Sequence, residues 1–192
     1  MPTAFIGLVI ALTLGLWGNA LAHELQASRA TLVLRDSQHL ALTFFIDYPA
    51  VLHLTLAPQM LFHEFALQHA AMPPQLFAAQ LLPAQRKLQG NTRLASKNGK
   101  TLGLTSWAWP DATTTQKALQ QRAIEAVVGT GEHTHSAPME IRAEAQSNNA
   151  KDFALITLQL PPEFKQTLVV SYQPRQVWAE PGKASPGVRF LP

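Results

Sequence analysis

The chain has 192 residues, with 15 Lys and Arg against 12 Asp and Glu, and it contains no cysteine. The absence of thiols excludes disulfides, thiolate metal sites and thiol redox chemistry. The positive charges stand singly apart from Arg86-Lys87, so no basic stripe points to nucleic acid as a partner.

Residues Ala4–Trp17, AFIGLVIALTLGLW, form an uncharged apolar run of 14 residues. A bilayer span needs about 20 such residues, and this shorter run suits the apolar region of a secretory leader. Ala20-Leu21-Ala22 then supplies the A-x-A pattern of a cleavage site, although no Lys or Arg precedes the apolar run. The expectation is a signal peptide over residues 1–22, export to the periplasm, and a mature chain that keeps all seven histidines. An uncleaved anchor over Ala4–Ala22 is the competing reading.

The mature part predicts one β-rich domain over residues 23–180, followed by an extended tail over 181–192 whose Gly and Pro content suits irregular chain. From Leu25 to Arg35, Ala30, Leu32 and Leu34 share one side. After the turn-forming RDSQ, HLALTFFIDY sets Leu40, Leu42, Phe44, Ile46 and Tyr48 on one face by period-2 alternation, so the two runs read as an antiparallel hairpin. Ala50–Leu56, AVLHLTL, reads as a third extended segment. The period then changes: Leu61, Phe65 and Ala66 recur at helical spacing. His63 and His69 fall on the polar face of that helix.

Helical pattern near 59–88 continues in PQLFAAQLLPAQRKLQG, where Pro83 predicts two short pieces or a kink. Asn98-Gly99 predicts a two-residue type I′ hairpin between Leu94 and Leu102. A further helix is expected near 113–128, with a Thr as N-cap, Leu119, Ala123, Ile124 and Val127 on its inner face, and Gly129 as its stop. Strands follow in MEIRAEAQ, ALITLQL, TLVVSYQP and RQVWAE. No β-α-β alternation at crossover spacing is visible. The fold class is therefore α+β, a mainly antiparallel sheet or sandwich with inserted helices packed on one side.

No nucleophile elbow, P-loop or dinucleotide fingerprint occurs, and the chain is expected to be non-catalytic. FHEFALQH lacks the H-E-x-x-H spacing, since His63 and His69 are six residues apart and lie near opposite sides of a helix. What remains is histidine ligation. His133 and His135 in GEHTHSAPM are two apart, so in extended chain both imidazoles point the same way; Glu132 and Met139 are close by. Cleavage after Ala22 would expose an α-amine and imidazole together on His23, and cleavage after Ala20 would give Leu-Ala-His. Either product offers nitrogen donors suited to Cu(II). His39 or His53 could complete a site with His23, and the metal expected is copper or zinc.

A mature chain starting at His23 resembles small periplasmic copper carriers with an all-β fold, which begin with histidine. That resemblance implies a copper role for His23. The length, the inserted helices and the lack of a Met-rich segment depart from the family's pattern. The other class of function is an accessory module that binds a protein or glycan in an inner-membrane or envelope complex. Trp107 and Trp109 in SWAWP, with Tyr172, Arg175 and Trp178, would supply its aromatic contact surface, unless they fill the core.

Overall fold

The computed structural model describes residues 28–128, 137–174 and 181–182. Within them the chain forms β1 (Arg29–Leu34), β2 (His39–Ile46), α1 (Tyr48–Leu56), α2 (Phe62–Ala70), α3 (Pro74–Asn91), β3 (Arg93–Ser96), β4 (Thr101–Leu102), β5 (Leu104–Ala108), α4 (Ala112–Val128), β6 (Met139–Gln146), β7 (Ile156–Gln159) and β8 (Leu168–Tyr172). Five strands make the main sheet in the order β5-β6-β2-β1-β8, and three make a smaller one in the order β4-β3-β7. The architecture is α+β, with one mixed and one antiparallel sheet.

The first hairpin forms as its alternation dictates. β1 and β2 pair antiparallel from Arg29 opposite Phe45 to Leu34 opposite Leu40. Leu40, Leu42, Phe44 and Ile46 are buried, while Ala41, Thr43 and Phe45 on the other face are half-buried. β6 lies against β2 in the same alternation, burying Ile141, Ala143 and Ala145. These inward residues share one apolar core with Tyr48, Val51 and Leu52 of α1, Phe65 and Ala66 of α2, Phe77, Leu81, Ala84 and Leu88 of α3, and Leu119 and Ala123 of α4. Leu94 and Leu102 bring the small sheet into it. Fully burying one such Leu or Phe contributes about 1.5–3 kcal/mol, so the helices are held on this face by apolar burial.

Several elements differ from the expectations above. Residues 50–56 belong to a helix. The Asp47 carboxylate caps it by accepting from the Ala50 N–H at 3.2 Å, and Pro49 sits in its first turn, where its missing N–H costs nothing. Its alternation misled because Tyr48, Pro49, Val51, Leu52 and Thr55 are all buried, leaving no polar stripe to mark a helical period. α3 runs as one 18-residue helix through Pro83. Pro83 itself is exposed, so its ring displaces no packing.

The hairpin at Asn98-Gly99 has a three-residue loop. The Gly99 N–H donates to the Ser96 carbonyl and the Ser96 N–H to the Lys100 carbonyl, both at 2.9 Å, and only Gly99 in the loop has positive φ, 77°. A type I′ turn would need positive φ at both central residues; this is the turn-plus-bulge form. Leu94 and Leu102 do face each other across it.

In α4 the N-cap is Asp111, whose carboxylate accepts from the Thr114 N–H and hydroxyl at 2.7 Å each. Those hydrogen bonds hold the Asp111 carboxyl below the usual carboxylate range. The inner face of α4 is Thr115, Gln116, Leu119 and Ala123, while Ile124 and Val127 are exposed. The Gln116 side chain bridges to α2, donating to the carbonyls of His69 at 3.1 Å and Met72 at 2.7 Å. Finally, β8 pairs parallel with β1, Arg29 beside Leu168 and Val33 beside Tyr172, so the main sheet is mixed. The expected stop at Gly129, the RQVWAE strand and the leader lie outside the described residues, as does the tail apart from Pro181-Gly182.

Candidate functional site

His39 opens β2 at the turn end of the first hairpin. Its Nδ1 lies 2.9 Å and 2.7 Å from the two carboxylate oxygens of Asp36. Asp36 is held in turn by the Gln38 N–H at 2.7 Å. That backbone hydrogen bond first, and the His39 contact second, keep the Asp36 carboxyl below its ordinary range. A carboxylate at Nδ1 fixes that nitrogen as the donor, the contact by which carboxylates orient histidines that ligate through their other ring nitrogen. The imidazole faces a recess of about 200 Å³ that it shares with Arg35, Asp36 and Glu144. Glu144 is engaged by Arg35 at 3.1 Å. Among the described residues, no group of three or more His, Asp or Glu side chains gathers to hold a metal ion. The Asp36 contact was available in the sequence as the D-x-x-H spacing of RDSQH, which a turn brings to one spot.

The remaining metal candidates, His23, His133 and His135, lie outside the described residues together with Glu132, but the chain on either side of them is placed. β1 starts at Arg29 opposite Phe45, and β6 starts at Met139 opposite Ile46. The segments carrying His23 and His133/His135 therefore join the sheet at the same strand end, on either side of β2. His39 stands at the other end, opposite Gln146. It is six positions along β2 from Phe45, roughly 20 Å.

His53 projects from a helix instead of a strand. Its Nε2 lies 2.7 Å from the Met60 carbonyl, and its ring packs on Phe62 and Phe65. His69, expected on a polar face, is buried. Its Nδ1 donates to the Phe65 carbonyl at 2.8 Å, one turn back in α2, and its ring lies 3.9 Å from that of Phe65. His63 is exposed, as its position on α2 predicts.

Period-2 alternation puts the two tryptophans on one face, but which face that is depends on something strand periodicity does not contain. Thr105 pairs with Glu144 and Ala108 with Arg142, so β5 carries one extra residue, at Ser106 with φ 52°. An inserted residue flips every later side chain to the opposite face, and here it turns Trp107 and Trp109 toward the core. Trp107 stacks at 6.2 Å on Phe44 and at 5.5 Å on Trp109, which meets Tyr48 at 5.8 Å. This aromatic row closes one side of the core. Tyr172 is exposed on β8, and Arg175 and Trp178 lie outside the described residues.

No family model, curated protein or solved structure matches this chain.

Among the described residues no helix is long and apolar enough to cross a membrane. The open face of the main sheet is divided in character. Glu140, Arg142 and Glu144 line its β6 side, whereas Phe45, Val33, Leu168 and Tyr172 give its β1–β8 side an apolar surface. The Arg29 guanidinium lies over the Phe45 ring at 4.7 Å.

Proposed function

We propose that this chain is an exported, periplasmic, non-catalytic protein that holds a transition-metal ion, copper or zinc, through His23, His133 and His135. What supports this reading is the common strand end at which the flanking chain joins the sheet. Ser28 and Met139 stand on either side of β2, and strands two places apart in a sheet are about 10 Å apart. His23 is five residues before Ser28, a reach of up to roughly 17 Å, and His135 is four residues before Met139. A cut after Ala22 would add the terminal amine to the donor set. With a pKa near 7.7–8.0, that amine gives up its proton to a metal at little cost. His39, at the far end of the sheet, falls outside this set.

The test is to export the protein from its own leader, sequence the mature N-terminus and titrate it with Cu(II) and Zn(II) by calorimetry. The reading expects a terminus at His23 or Leu21 and tight binding that is lost in His23→Ala and in His133→Ala/His135→Ala, with unchanged melting. A retained leader, or affinity indifferent to these variants, overturns it.

A second reading has one observation of its own, the exposed apolar edge strand β8, where Leu168 and Tyr172 are each more than half exposed. It makes the chain an accessory module of a cell-envelope complex. Absence of metal binding together with co-purification of a membrane protein, lost on Leu168→Ser/Tyr172→Ser, favours it over the first.

A further inference from the structure

Where β4 leaves the small sheet and β5 enters the main one, the chain passes through Gly103 and opens an exposed cleft of about 510 Å³. Its lining includes Arg86 and Gln89 of α3, Arg93 at the start of β3, and Thr101, Gly103 and Trp107. Among the described residues, no carboxylate lines the cleft. Neither the Arg86 nor the Arg93 side chain has an ion-pair or hydrogen-bond partner among the described residues.

Arg86 and Arg93 bring two like charges to the lining of one recess, and nothing in the packing requires them there, since both are exposed. The C-terminal end of α3 is close by and carries about half a negative charge. That is too little to neutralise two full positive charges, and part of it is already spent. The Thr92 N–H and hydroxyl occupy the Leu88 carbonyl at 3.1 Å and 2.8 Å, and the same N–H reaches the Gln89 carbonyl at 3.1 Å. Trp107, held by its stacking on Phe44 and Trp109, gives the cleft a rigid apolar wall beside these charges. The volume lies within the roughly 300–1,000 Å³ typical of small-molecule sites.

We propose that this cleft binds a small organic anion, a carboxylate or phosphate group attached to a compact apolar body. The forked guanidiniums of Arg86 and Arg93 match a planar or tetrahedral oxyanion with paired N–H donors. Gln89 and Thr101 add neutral donors, and the indole edge of Trp107 covers the apolar part. The cleft lining includes none of the residues of the metal reading, so the two proposals stand or fall independently.

Amide and indole NMR shifts of the isotope-labelled protein test this, with phenyl phosphate, benzoate and inorganic phosphate as probes. The expected result is saturable shifts at Gly90, Gly103 and the Trp107 indole N–H with phenyl phosphate or benzoate at millimolar concentration. Preference between the two assigns the anionic group. Arg86→Gln and Arg93→Gln should each weaken binding about tenfold, the size of one charge-assisted hydrogen bond. A Cβ built at Gly103 meets nothing within 4 Å, so Gly103→Leu should fold normally and block the cleft. Shifts that are absent or lie elsewhere, or that persist unchanged in the arginine variants and Gly103→Leu, overturn the proposal. So does inorganic phosphate binding as tightly as phenyl phosphate, which would reduce the cleft to unspecific attraction.

Discussion

Lys100 reaches from the β3–β4 hairpin to Asp152, its Nζ 2.6 Å from Oδ2. The same carboxylate accepts from the Ser147 hydroxyl at 2.7 Å and the Asn149 side-chain amide at 3.3 Å. Asp152 lies in the short 3₁₀ turn Ala150–Phe153 between β6 and β7, so these hydrogen bonds pin the crossing from the main sheet to the small one.

The Lys100 hydrogen bond, then that of Ser147, lowers the Asp152 carboxyl below its ordinary 3.8. A carboxyl depressed on folding stabilises the protein above its unfolded value and loses that contribution as pH falls through the folded one. Asp152→Asn should therefore melt at a lower temperature than the parent at pH 7. The gap should shrink as the pH is taken below about 4. Thermal unfolding of both proteins across acid pH checks this; a constant gap would contradict it.

Tyr48 makes the alkaline counterpart. Its burial pushes the phenol up from 10.0 to about 12, against a weak opposing hydrogen bond from Gln85 at 3.4 Å. An acid whose folded value is raised keeps its proton in the native state after the unfolded chain has lost it. Its contribution is complete below pH 10 and disappears toward pH 12, an effect on the order of 2–3 kcal/mol. Ultraviolet titration should show one of the two tyrosines ionising only as the protein unfolds. Tyr48→Phe should remove this part of the alkaline instability.

Phe44 and Phe45 are chain neighbours on opposite faces of β2. Phe44 is fully buried, stacked on Trp107 and edge-on to Phe164 at 5.7 Å. Phe45 faces out beneath Arg29. Phe44→Ala should cost about 3–5 kcal/mol. Phe45→Ala should cost about 1 kcal/mol, mostly the cation–π contact. Denaturant unfolding of the two variants tests the face assignment directly, since similar losses would mean that the open face is covered.

Pro83 stands in mid-helix with its ring in solvent. An interior proline removes one helical hydrogen bond and crowds the carbonyl four residues earlier, costing about 3 kcal/mol, partly offset by the stiffer unfolded chain. Pro83→Ala should stabilise the protein by about 1–2 kcal/mol, read as a raised denaturation midpoint with an unchanged slope.

How much of this was legible in the sequence depends on how local the deciding physics is. The β1–β2 hairpin was readable because one face is buried and the other is not, so alternation survives in the residues. β6 and the existence of α4 followed in the same way. α1 was unreadable because burial on many sides erases the period, and its best signal was the Asp47–Pro49 start. The inner face of α4 was misjudged because exposed Ile124 and Val127 mimic core positions, while Thr115 and Gln116 are buried by hydrogen bonds to their own turn and to α2. The face of the tryptophans hinges on one bulged residue, and the partner of β8 on a strand some 140 residues earlier. Neither is encoded in a short window. For the candidate site, His39 was located correctly at the head of β2, but only the folded turn supplies its Asp36 partner. The cleft between Arg86 and Arg93 exists only once a helix end and a hairpin meet.

The parallel seating of β8 beside β1 has a consequence for how the protein comes into being. The N-terminal strand cannot acquire its second neighbour until Leu168 has been synthesised, so the sheet is completed late, through a contact of very long loop closure. Until then β1 offers a row of free backbone donors and acceptors to any other extended chain. Fragments ending before residue 168 should therefore associate with one another through that margin, and the intact polypeptide should be most vulnerable to this just before β8 docks.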